Sequence, residues 1–450
     1  MNPLGALILA VLVFLVLGAT RRVALLAMMA GVLYLTQGPQ INVLGLNLFA
    51  VRFLELAGFV RVMARHEFSF RQLNGIDRAL IWLYGYITVV FLLRSTEGVA
   101  YQIGMFTDAF LCYFAFRGLL GDMEDFCWFL RAFVILLVPY TLLVLIESVT
   151  GHNPLSILGG ITGGSVWLRH GFPRCFGSFR QPDTLGMFAA SFLPLYIGLA
   201  CIIRERRRAV LGICLCIALV VVSNSGGAAS GAAVGLLCWG LWRFRMSMRM
   251  VRWSIVGMIA VSGMVMKAPI WYIFQHVSSI TGGDGWHRSY LIDVTYKHIG
   301  QWWLAGMPIN ETSDWFPYQN AATASADITN LFVAFGLTAG LGAIALFILL
   351  LTRAFSRLGS ALAIVRSPSC ESGENEFMLW GLGVMLTVHI INWFGITYFD
   401  QMYVVWFMQL AAISGLSEKC IAAKSVEAEK PNEMEGNADE TENVLFGGAA

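Results

Sequence analysis

Runs of predominantly apolar residues recur along most of the chain, separated by short polar segments. A helix needs roughly 17 to 25 such residues to cross the hydrocarbon core of a bilayer. The pattern predicts thirteen candidate spans, at 4–18, 23–37, 42–62, 78–93, 102–118, 128–149, 184–203, 209–223, 226–242, 252–268, 328–352, 377–394 and 397–415. The first two are short and one pair is closely spaced, so we expect an all-α polytopic membrane protein with about twelve to thirteen transmembrane helices.

The composition excludes an ordinary soluble protein. Of the 450 residues, 57% are hydrophobic and 13% are charged, whereas about one quarter of the residues in a soluble domain are charged. The formal net charge of +2 gives no indication of nucleic-acid binding. Only one of the nine cysteines, Cys175, is expected in an extracytoplasmic segment, so no disulfide framework is predicted.

Basic residues are concentrated in alternate loops. Because Lys-rich and Arg-rich loops stay in the cytoplasm, that side is assigned the segments 21–22, 61–78, 204–208, 243–252 and 353–366. Two long segments, 150–183 and 269–327, must then face the other compartment. We divide the chain into a transmembrane domain, 1–416, and an acidic tail, 417–450, expected to be disordered in the cytoplasm.

The two long extracytoplasmic segments are the expected location of the functional site. Most connections in compact domains have about 4 to 6 residues, and much longer loops are often functional. Between Trp286 and Trp303, the spacing of apolar residues predicts an amphipathic helix at the membrane surface. Trp302 and Trp303 would then lie among the lipid headgroups.

Arg169, Arg174 and Arg180 precede a span that starts with the sequence QPDT at Gln181. Arginines on the translocated side oppose the usual charge bias of membrane proteins. The free N–H groups of a helix amino end, the helix dipole and guanidinium groups all favour an anion such as a phosphate. Interfacial snorkelling accounts equally well for any single arginine, but the set as a whole favours an anionic ligand.

Arg288, in the sequence GGDGWHRSY, is the fourth candidate cation. The preceding glycines allow the chain to direct this side chain towards a cavity. His287 and His298 flank it, and a lone histidine in an aromatic loop is more often structural than catalytic. The histidines lack the spacing of metal ligands, so neither a metal nor another cofactor is predicted.

Asp327 and Asn330 open the next span, in the sequence SADITNLF. Three residues apart on a helix, they would share a face. Two interpretations of Asp327 stay open: a helix N-cap, or a general base that takes the proton of an acceptor hydroxyl.

Other ionisable residues fall inside the predicted spans. Arg52 and Glu55 are expected to pair with each other or to be functional. Asp108 and His389 are expected to be structural. The glycine-rich sequence SNSGGAASGAAVGLL, from Ser223, lacks the Lys-Ser/Thr ending of a phosphate loop, so we expect it to supply small residues at close helix crossings.

Several of these segments together resemble one family. RCFGSFRQPDTLGMFAASFLPLY, from Arg174, resembles the R-x-x-G-x-F-x-x-P-N-x-L-G segment of the O-antigen ligase and O-antigen polymerase superfamily. SNSGGAASGAAVGLL, GWHRSYLIDVTYKHIGQWWLAGM and DITNLFVAFGLTAGLG resemble further segments of that superfamily. Its members are integral membrane glycosyltransferases whose donor is a glycan on a lipid diphosphate. Asp183 and Asp327 replace the Asn and His of the superfamily pattern, and both a ligase and a polymerase stay open.

The resemblance implies a metal-independent glycosyl transfer at the extracytoplasmic face of a bacterial inner membrane, in O-antigen or exopolysaccharide assembly. Arg174 and Arg288 would hold the diphosphate of an undecaprenyl carrier, and Asp327 would take the acceptor proton, as catalytic residues. Residues expected to bind substrate are Arg169, Arg180, His287, Asn330, Trp302 and Trp303.

The expected partners are a polyprenyl diphosphate-linked glycan, membrane lipids, a glycan or lipid acceptor, and polysaccharide-assembly proteins. No nucleic acid is expected. The alternatives are a transporter of lipid-linked glycans, with a site near the middle of the bilayer, and an accessory membrane component without catalysis.

Overall fold

The computed structural model describes residues 2–36, 40–43, 46–95, 98–159, 167–169, 171–276, 285–316, 325–367 and 373–446. The helices are α1 Pro3–Gly18, α2 Arg21–Tyr34, α3 Ala50–Ala64, α4 Gly75–Arg94, α5 Val99–Leu119, α6 Met123–Thr150, α7 Pro182–Ala200, α8 Arg206–Val222, α9 Gly226–Gly240, α10 Met248–Val265, α11 Gly285–Lys297, α12 Ile299–Trp302, α13 Leu331–Val365, α14 Gly373–Trp393 and α15 Gln401–Phe446. Two short antiparallel hairpins are formed by β1 Gln40–Val43 with β2 Leu46–Phe49, and by β3 Leu168–Arg169 with β4 Phe172–Pro173.

Within the described residues, eight helical segments are long and apolar enough to cross a membrane: Gly75–Arg94, Val99–Leu119, Met123–Thr150, Pro182–Ala200, Gly226–Val265, Leu331–Val365, Gly373–Trp393 and Gln401–Ala423. The segment Gly226–Val265 combines α9, α10 and the 3-10 turn between them, and Gln401–Ala423 is the first part of α15. The prediction of an all-α polytopic membrane protein is therefore confirmed. Every predicted span overlaps a helix, but α1, α2, α3 and α8 are shorter than these eight. The count of twelve to thirteen spans stays a prediction.

The sequence and the structure differ at two places along the backbone. The predicted span 42–62 starts as the hairpin β1–β2, in which Asn42 opposes Asn47, and its helix begins only at Ala50. The tail 417–450 is predicted to be disordered, whereas α15 continues to Phe446. Ala, Glu and Lys, which are good helix formers, are frequent in that segment.

The main core of the bundle is built around α7. Almost every residue of α7 is buried, and its neighbours are α8, α9 and α14. Small residues allow the crossings: a Cβ added to Gly186 would lie 2.5 Å from Cβ of Ala228 in α9. A Cβ on Gly231 would lie 2.5 Å from Oδ1 of Asn392 in α14. The prediction of close crossings around SNSGGAASGAAVGLL is confirmed.

A second, smaller hydrophobic core lies outside the bundle core. It contains Leu291, Val294, Trp302, Met307, Trp315, Phe316, Ala326, Val333 and Leu337. We call the segments that build it, 285–316 and 325–338, the cap. Helices α11 and α12 lie between Trp286 and Trp303, and Leu291 and Val294 of α11 belong to the cap core. The amphipathic helix at the membrane surface stays a prediction.

The cap is joined to the bundle at a break in α13. The helical dihedral angles are interrupted at Ala339 and at Gly340, which has φ 77° and ψ −173°. The loop that follows α12 satisfies the freed backbone groups, because Trp303 O accepts from Leu341 N–H and Met307 N–H donates to Leu337 O, both at 2.8 Å.

Arg94, the last residue of α4, completes this junction. Its Nη1 atom donates to the carbonyl oxygens of Ala305 and Leu337, each at 3.0 Å. One guanidinium group therefore holds together a bundle helix, the cap loop and the first half of α13.

Candidate functional site

A cavity of about 550 Å³ lies between the cap and the bundle. The cap contributes residues from α11, from the segment before α13 and from the turn near Phe316. The bundle contributes the start of α7 and the connection between α14 and α15. The lining residues are Gln181, Asp183, His287, Arg288, Ser313, Phe316, Ser325, Ala326, Asp327, Ile328, Thr329, Gly395, Ile396, Thr397 and Phe399.

One wall combines an ion pair with a helix cap. Asp183, in the first turn of α7, accepts from Nη2 of Arg174 at 2.8 Å and from the hydroxyl of Ser225 at 2.5 Å. Ser225 is the N-cap of α9, where its hydroxyl oxygen accepts from Ala228 N–H. The amino ends of α7 and α9 therefore meet beside the Arg174 guanidinium.

Arg288 reaches this wall from the cap. A Cβ added to Gly395 would lie only 3.1 Å from Cζ of its guanidinium. A Cβ on Gly227, in the first turn of α9, would be 3.6 Å from Nη2 of Arg288 and 3.8 Å from Oγ of Ser225. The missing side chains of the two glycines provide the space that the guanidinium occupies.

The charges at this wall, which we call the cationic wall, suit an anion. Two guanidinium groups and the partial positive charges of two helix amino ends converge, while Asp183 supplies one compensating carboxylate. The amides of the RCFGSF sequence are not part of this arrangement, because Glu147 accepts from Phe176 N–H and Gly177 N–H, each at 2.9 Å. The buried wall is therefore built by side chains and by α9, which the sequence interpretation assigned only to helix packing.

The second predicted group, Asp327, also lines the cavity. Asp327 is exposed and lies in the irregular segment before α13, and its backbone carbonyl contacts Nε2 of His287 at 3.0 Å. The His287 ring stacks on Phe316, with a centroid distance of 4.6 Å. Within the described residues, no ion pair involves the Asp327 carboxylate.

The expected relation between Asp327 and Asn330 is wrong. Asn330 is the N-cap of α13: its Oδ1 accepts from Phe332 N–H at 3.0 Å and from Val333 N–H at 3.2 Å, and the residue is 2% exposed. Asp327 precedes the helix, so the two residues do not share a helical face, and Asp327 is not the cap. An asparagine competes well for the N-cap position, which leaves the aspartate side chain available to the cavity.

Hydroxyl groups line the remainder of the cavity. They come from Ser313, Ser325, Thr329 and Thr397. Thr397 donates to Ile328 O at 2.7 Å, and within the described part of the chain the buried Thr329 hydroxyl has no hydrogen-bond partner. A polar ligand with its own hydroxyl groups would complement this wall.

Five predicted substrate-binding residues do not line the cavity: Asn330, which caps α13, and Arg169, Arg180, Trp302 and Trp303. Arg180 pairs with Asp400, with Nε 2.8 Å from Oδ2, and its guanidinium lies 5.8 Å from the Phe399 ring centroid. Arg169 lies in β3, where its carbonyl oxygen accepts from Asn224 Nδ2 at 3.0 Å.

Trp302 and Trp303 are the other two. Trp302 is 4% exposed, belongs to the cap core and donates from Nε1 to Thr295 O at 2.9 Å. Trp303 is exposed and holds the break in α13 through its carbonyl oxygen. Both tryptophans therefore build the cap rather than the cavity wall.

Among the ionisable residues inside the bundle, Arg52 has a partner other than the expected one. Its Nη2 atom lies 2.6 Å from Oδ2 of Asp108 in α5, and no ion pair between Arg52 and Glu55 is found within the described residues. His389 is fully buried, with Nδ1 2.6 Å from the hydroxyl of Tyr398. Outside the spans, burial raises the pKa of Asp400, and the guanidinium groups of Arg180 and Arg52 lower it only in part.

Sequence reasoning missed Ser225, Gly227, Gly395, Thr329 and Thr397. The pattern S-G-G at Ser225 is a signal for an N-cap followed by an open helix end, but its proximity to Arg288 depends on a crossing between distant elements. Within the described residues, no group of three or more His, Cys, Asp or Glu side chains could hold a metal ion.

The chain matches no protein-family model and no curated protein in the comparisons made.

Proposed function

We propose that the protein is a membrane glycosyltransferase that moves a glycan from a polyprenyl diphosphate carrier to an acceptor hydroxyl, either as a polymerase or as a ligase. One observation supports this most directly. Arg174, Arg288 and the amino ends of α7 and α9 converge on one wall of the cavity, and Asp327 is also among its lining residues. A diphosphate fits the guanidinium groups and helix ends, and an acceptor hydroxyl fits Asp327.

The reaction needs no group beyond those of the chain and its two substrates. The acceptor oxygen forms a bond to the anomeric carbon, and the bond from that carbon to the diphosphate oxygen breaks. The departing diphosphate takes the bonding electron pair, and Arg174 and Arg288 stabilise its growing charge. Asp327 takes the acceptor proton. Asp183 holds the Arg174 guanidinium in place.

The setting that we propose follows from the charge distribution. The cap and cavity face the extracytoplasmic side of a bacterial inner membrane, and the basic loops and the tail face the cytoplasm. The chain spans the membrane about twelve to thirteen times, with helices shorter than the eight longest among them. Polysaccharide-assembly proteins are the proposed partners.

The experiment uses purified protein in lipid, a polyprenyl diphosphate oligosaccharide, candidate acceptors and a chelator. Arg174→Ala and Arg288→Ala should each lower transfer by about 100-fold, as loss of an oxyanion donor does. Asp327→Asn should lower it by at least about 100-fold. Arg249→Ala, at an exposed residue of α10, is the matched control and should keep full activity.

A transporter without chemistry is the second candidate. The Arg52–Asp108 pair and the buried Glu55 inside the bundle favour it, because ionisable groups within a membrane often mark a transport pathway. Binding of carrier by the native protein with no released carrier diphosphate, across all acceptors tried, would favour this candidate over the transferase.

A further inference from the structure

The hairpin β3–β4 carries exposed apolar side chains and leads directly into Arg174. Leu168 is 64% exposed and Phe172 is 70% exposed, and Trp167 immediately before the hairpin is 45% exposed. The hairpin is fixed to the bundle, because Asn224 Nδ2 donates to Arg169 O at 3.0 Å. Exposed apolar side chains on a fixed hairpin are costly in water, so this surface needs an apolar neighbour.

A second exposed apolar surface starts directly below the hairpin. Cys175 N–H donates to the carbonyl oxygen of Val222, the last residue of α8, at 3.1 Å. On α8, Val221, Ile217, Cys214 and Val210 are exposed at spacings of three and four residues, which places them on one face of the helix. At 1.5 Å per residue this face is about 16 Å long.

These two surfaces form one apolar strip that ends at the cationic wall. We define the apolar strip as Trp167, Leu168 and Phe172 of the hairpin together with Val221, Ile217, Cys214 and Val210 of α8. Arg174 follows β4 directly, and its guanidinium binds Asp183 in the cavity lining. The strip therefore connects the membrane-facing side of α8 to the position of the anion.

We propose that the isoprenoid chain of the carrier lies along the apolar strip while its diphosphate lies against Arg174 and Arg288. This assignment rests on the proposed function and adds the binding path of the lipid to it. The ligand that fits is an amphiphile with a long apolar chain and a multiply charged anionic head. Phe14 and Leu237 are also exposed and apolar but do not belong to the strip. Phe14 lies on α1, which packs against α2 and α3, and Leu237 lies ten residues after Gly227, about 15 Å along α9 from the cationic wall.

The test is photocrosslinking in proteoliposomes. A photoreactive amino acid replaces Phe172 or Val221, and replaces Phe14 or Leu237 as matched controls that are 74% and 70% exposed. Radiolabelled polyprenyl diphosphate should label positions 172 and 221, and excess unlabelled carrier should reduce that labelling at least tenfold. An equal excess of anionic phospholipid should leave it unchanged, and labelling at positions 14 and 237 should respond to neither competitor.

Two results overturn the assignment. One is labelling at 172 and 221 that carrier does not reduce; the other is labelling that anionic phospholipid reduces equally, which makes the strip an ordinary lipid contact. Transfer assayed on the same preparations separates the two proposals. Product formation without specific labelling would refute the binding path along the apolar strip alone. Failure of the protein to bind any carrier would refute both that path and the proposed function.

A double variant gives an independent measurement. Leu168→Ser with Phe172→Ser should raise KM about tenfold or more for a long-chain carrier and leave it unchanged for a short-chain diphosphate glycan. Phe14→Ser should change neither value. An equal rise for both chain lengths would show that the hairpin acts on the diphosphate or on the fold, and would refute a role in binding the isoprenoid chain.

Discussion

The Arg288 guanidinium occupies space that exists because residue 395 has no side chain. Gly395→Ala would place a Cβ 3.1 Å from Cζ of Arg288, so the guanidinium must move. We expect kcat/KM for transfer to fall by about 10- to 100-fold, since displacement of a positioning group by a fraction of an ångström to one ångström has effects of this size. Steady-state kinetics with the lipid-linked donor provides the measurement.

Gly383→Ala is the control for this substitution. It lies on α14, the helix that precedes Gly395, and its Cβ would meet only Cδ1 of Leu358 at 3.9 Å. Both variants should unfold at temperatures close to that of the native protein. Unchanged activity of Gly395→Ala would mean that the position of Arg288 does not limit the reaction.

Asp400 gives a prediction for the dependence of stability on pH. Burial raises the pKa of this carboxyl in the folded state, so the ionised form is less favourable there than in the unfolded chain. Its contribution to the free energy of unfolding therefore becomes more negative as the pH rises from the unfolded pKa through the folded pKa. Asp400→Asn removes this cost and also suits the positive φ of 49° at this position.

We accordingly expect Asp400→Asn to have a higher unfolding temperature than the native protein at pH 8. The difference should shrink as the pH approaches the unfolded pKa of about 4. Differential scanning fluorimetry in detergent at several pH values measures both effects. A lower unfolding temperature at pH 8 would instead show that the ion pair with Arg180 stabilises the fold by more than burial costs.

At the same scale, the sequence identified several residues of the cavity but not the residues that surround them. Arg288, Asp327 and His287 all line the cavity, and Arg174 binds its wall, because these residues are unusual in a long apolar chain. Ser225 and Gly395 could not be predicted. Their roles depend on which residues lie close to them across α7, α9 and the cap. The amino-acid sequence does not give the distances between these elements.

Among the elements, α13 depends most on a single residue. Gly340 has φ 77° and ψ −173°, a region that is essentially restricted to glycine. A Cβ there would also lie 2.7 Å from Trp303 O. Adding the backbone cost to that of overpacking, Gly340→Ala should lower the free energy of unfolding by roughly 2 to 5 kcal/mol.

The same helix provides the comparison for this variant. A Cβ on Gly359 would meet nothing within 4 Å, so Gly359→Ala should be neutral or stabilise by roughly 0.5 to 1 kcal/mol through helix propensity. Denaturant titration of the two variants measures the difference. Equal stability would indicate that the break is readily rearranged and that the contacts of Trp303 and Arg94 contribute little to it.

The helices could be predicted because the apolar runs extend over many residues. Their ends and interruptions depend on local competition that the apolar runs do not report. Asn330 rather than Asp327 caps α13, and the residues before α3 pair as a hairpin. The break at Gly340 needs the loop that ends α12, which follows from the packing of the cap.

For the whole molecule, orientation in the membrane is the central prediction. Ile309→Cys lies in the cap and Met246→Cys lies in the basic turn between α9 and α10; the native side chains are 55% and 74% exposed. In intact spheroplasts, a membrane-impermeant maleimide should label position 309. Position 246 should be labelled only after permeabilisation. The reverse pattern would place the cavity in the cytoplasm and exclude the proposed setting.

The native cysteine on the same side as the cap, Cys175, should not contribute to the labelling in that experiment. Burial, with a contribution from Glu147, raises the pKa of the Cys175 thiol to about 12. Because the thiolate is the reactive form, this cysteine should remain unlabelled until the protein is denatured.

The separate core of the cap has a consequence for biosynthesis. Most of the cap core belongs to residues 291–326, but Val333 and Leu337 complete it from the first turns of α13, whose residues Leu331 and Phe335 belong to the bundle core. A nascent chain that has released residues 285–326 therefore cannot close the cap core until α13 has also been synthesised. The apolar side chains of the cap core therefore stay uncovered during synthesis until α13 is available to pack against them.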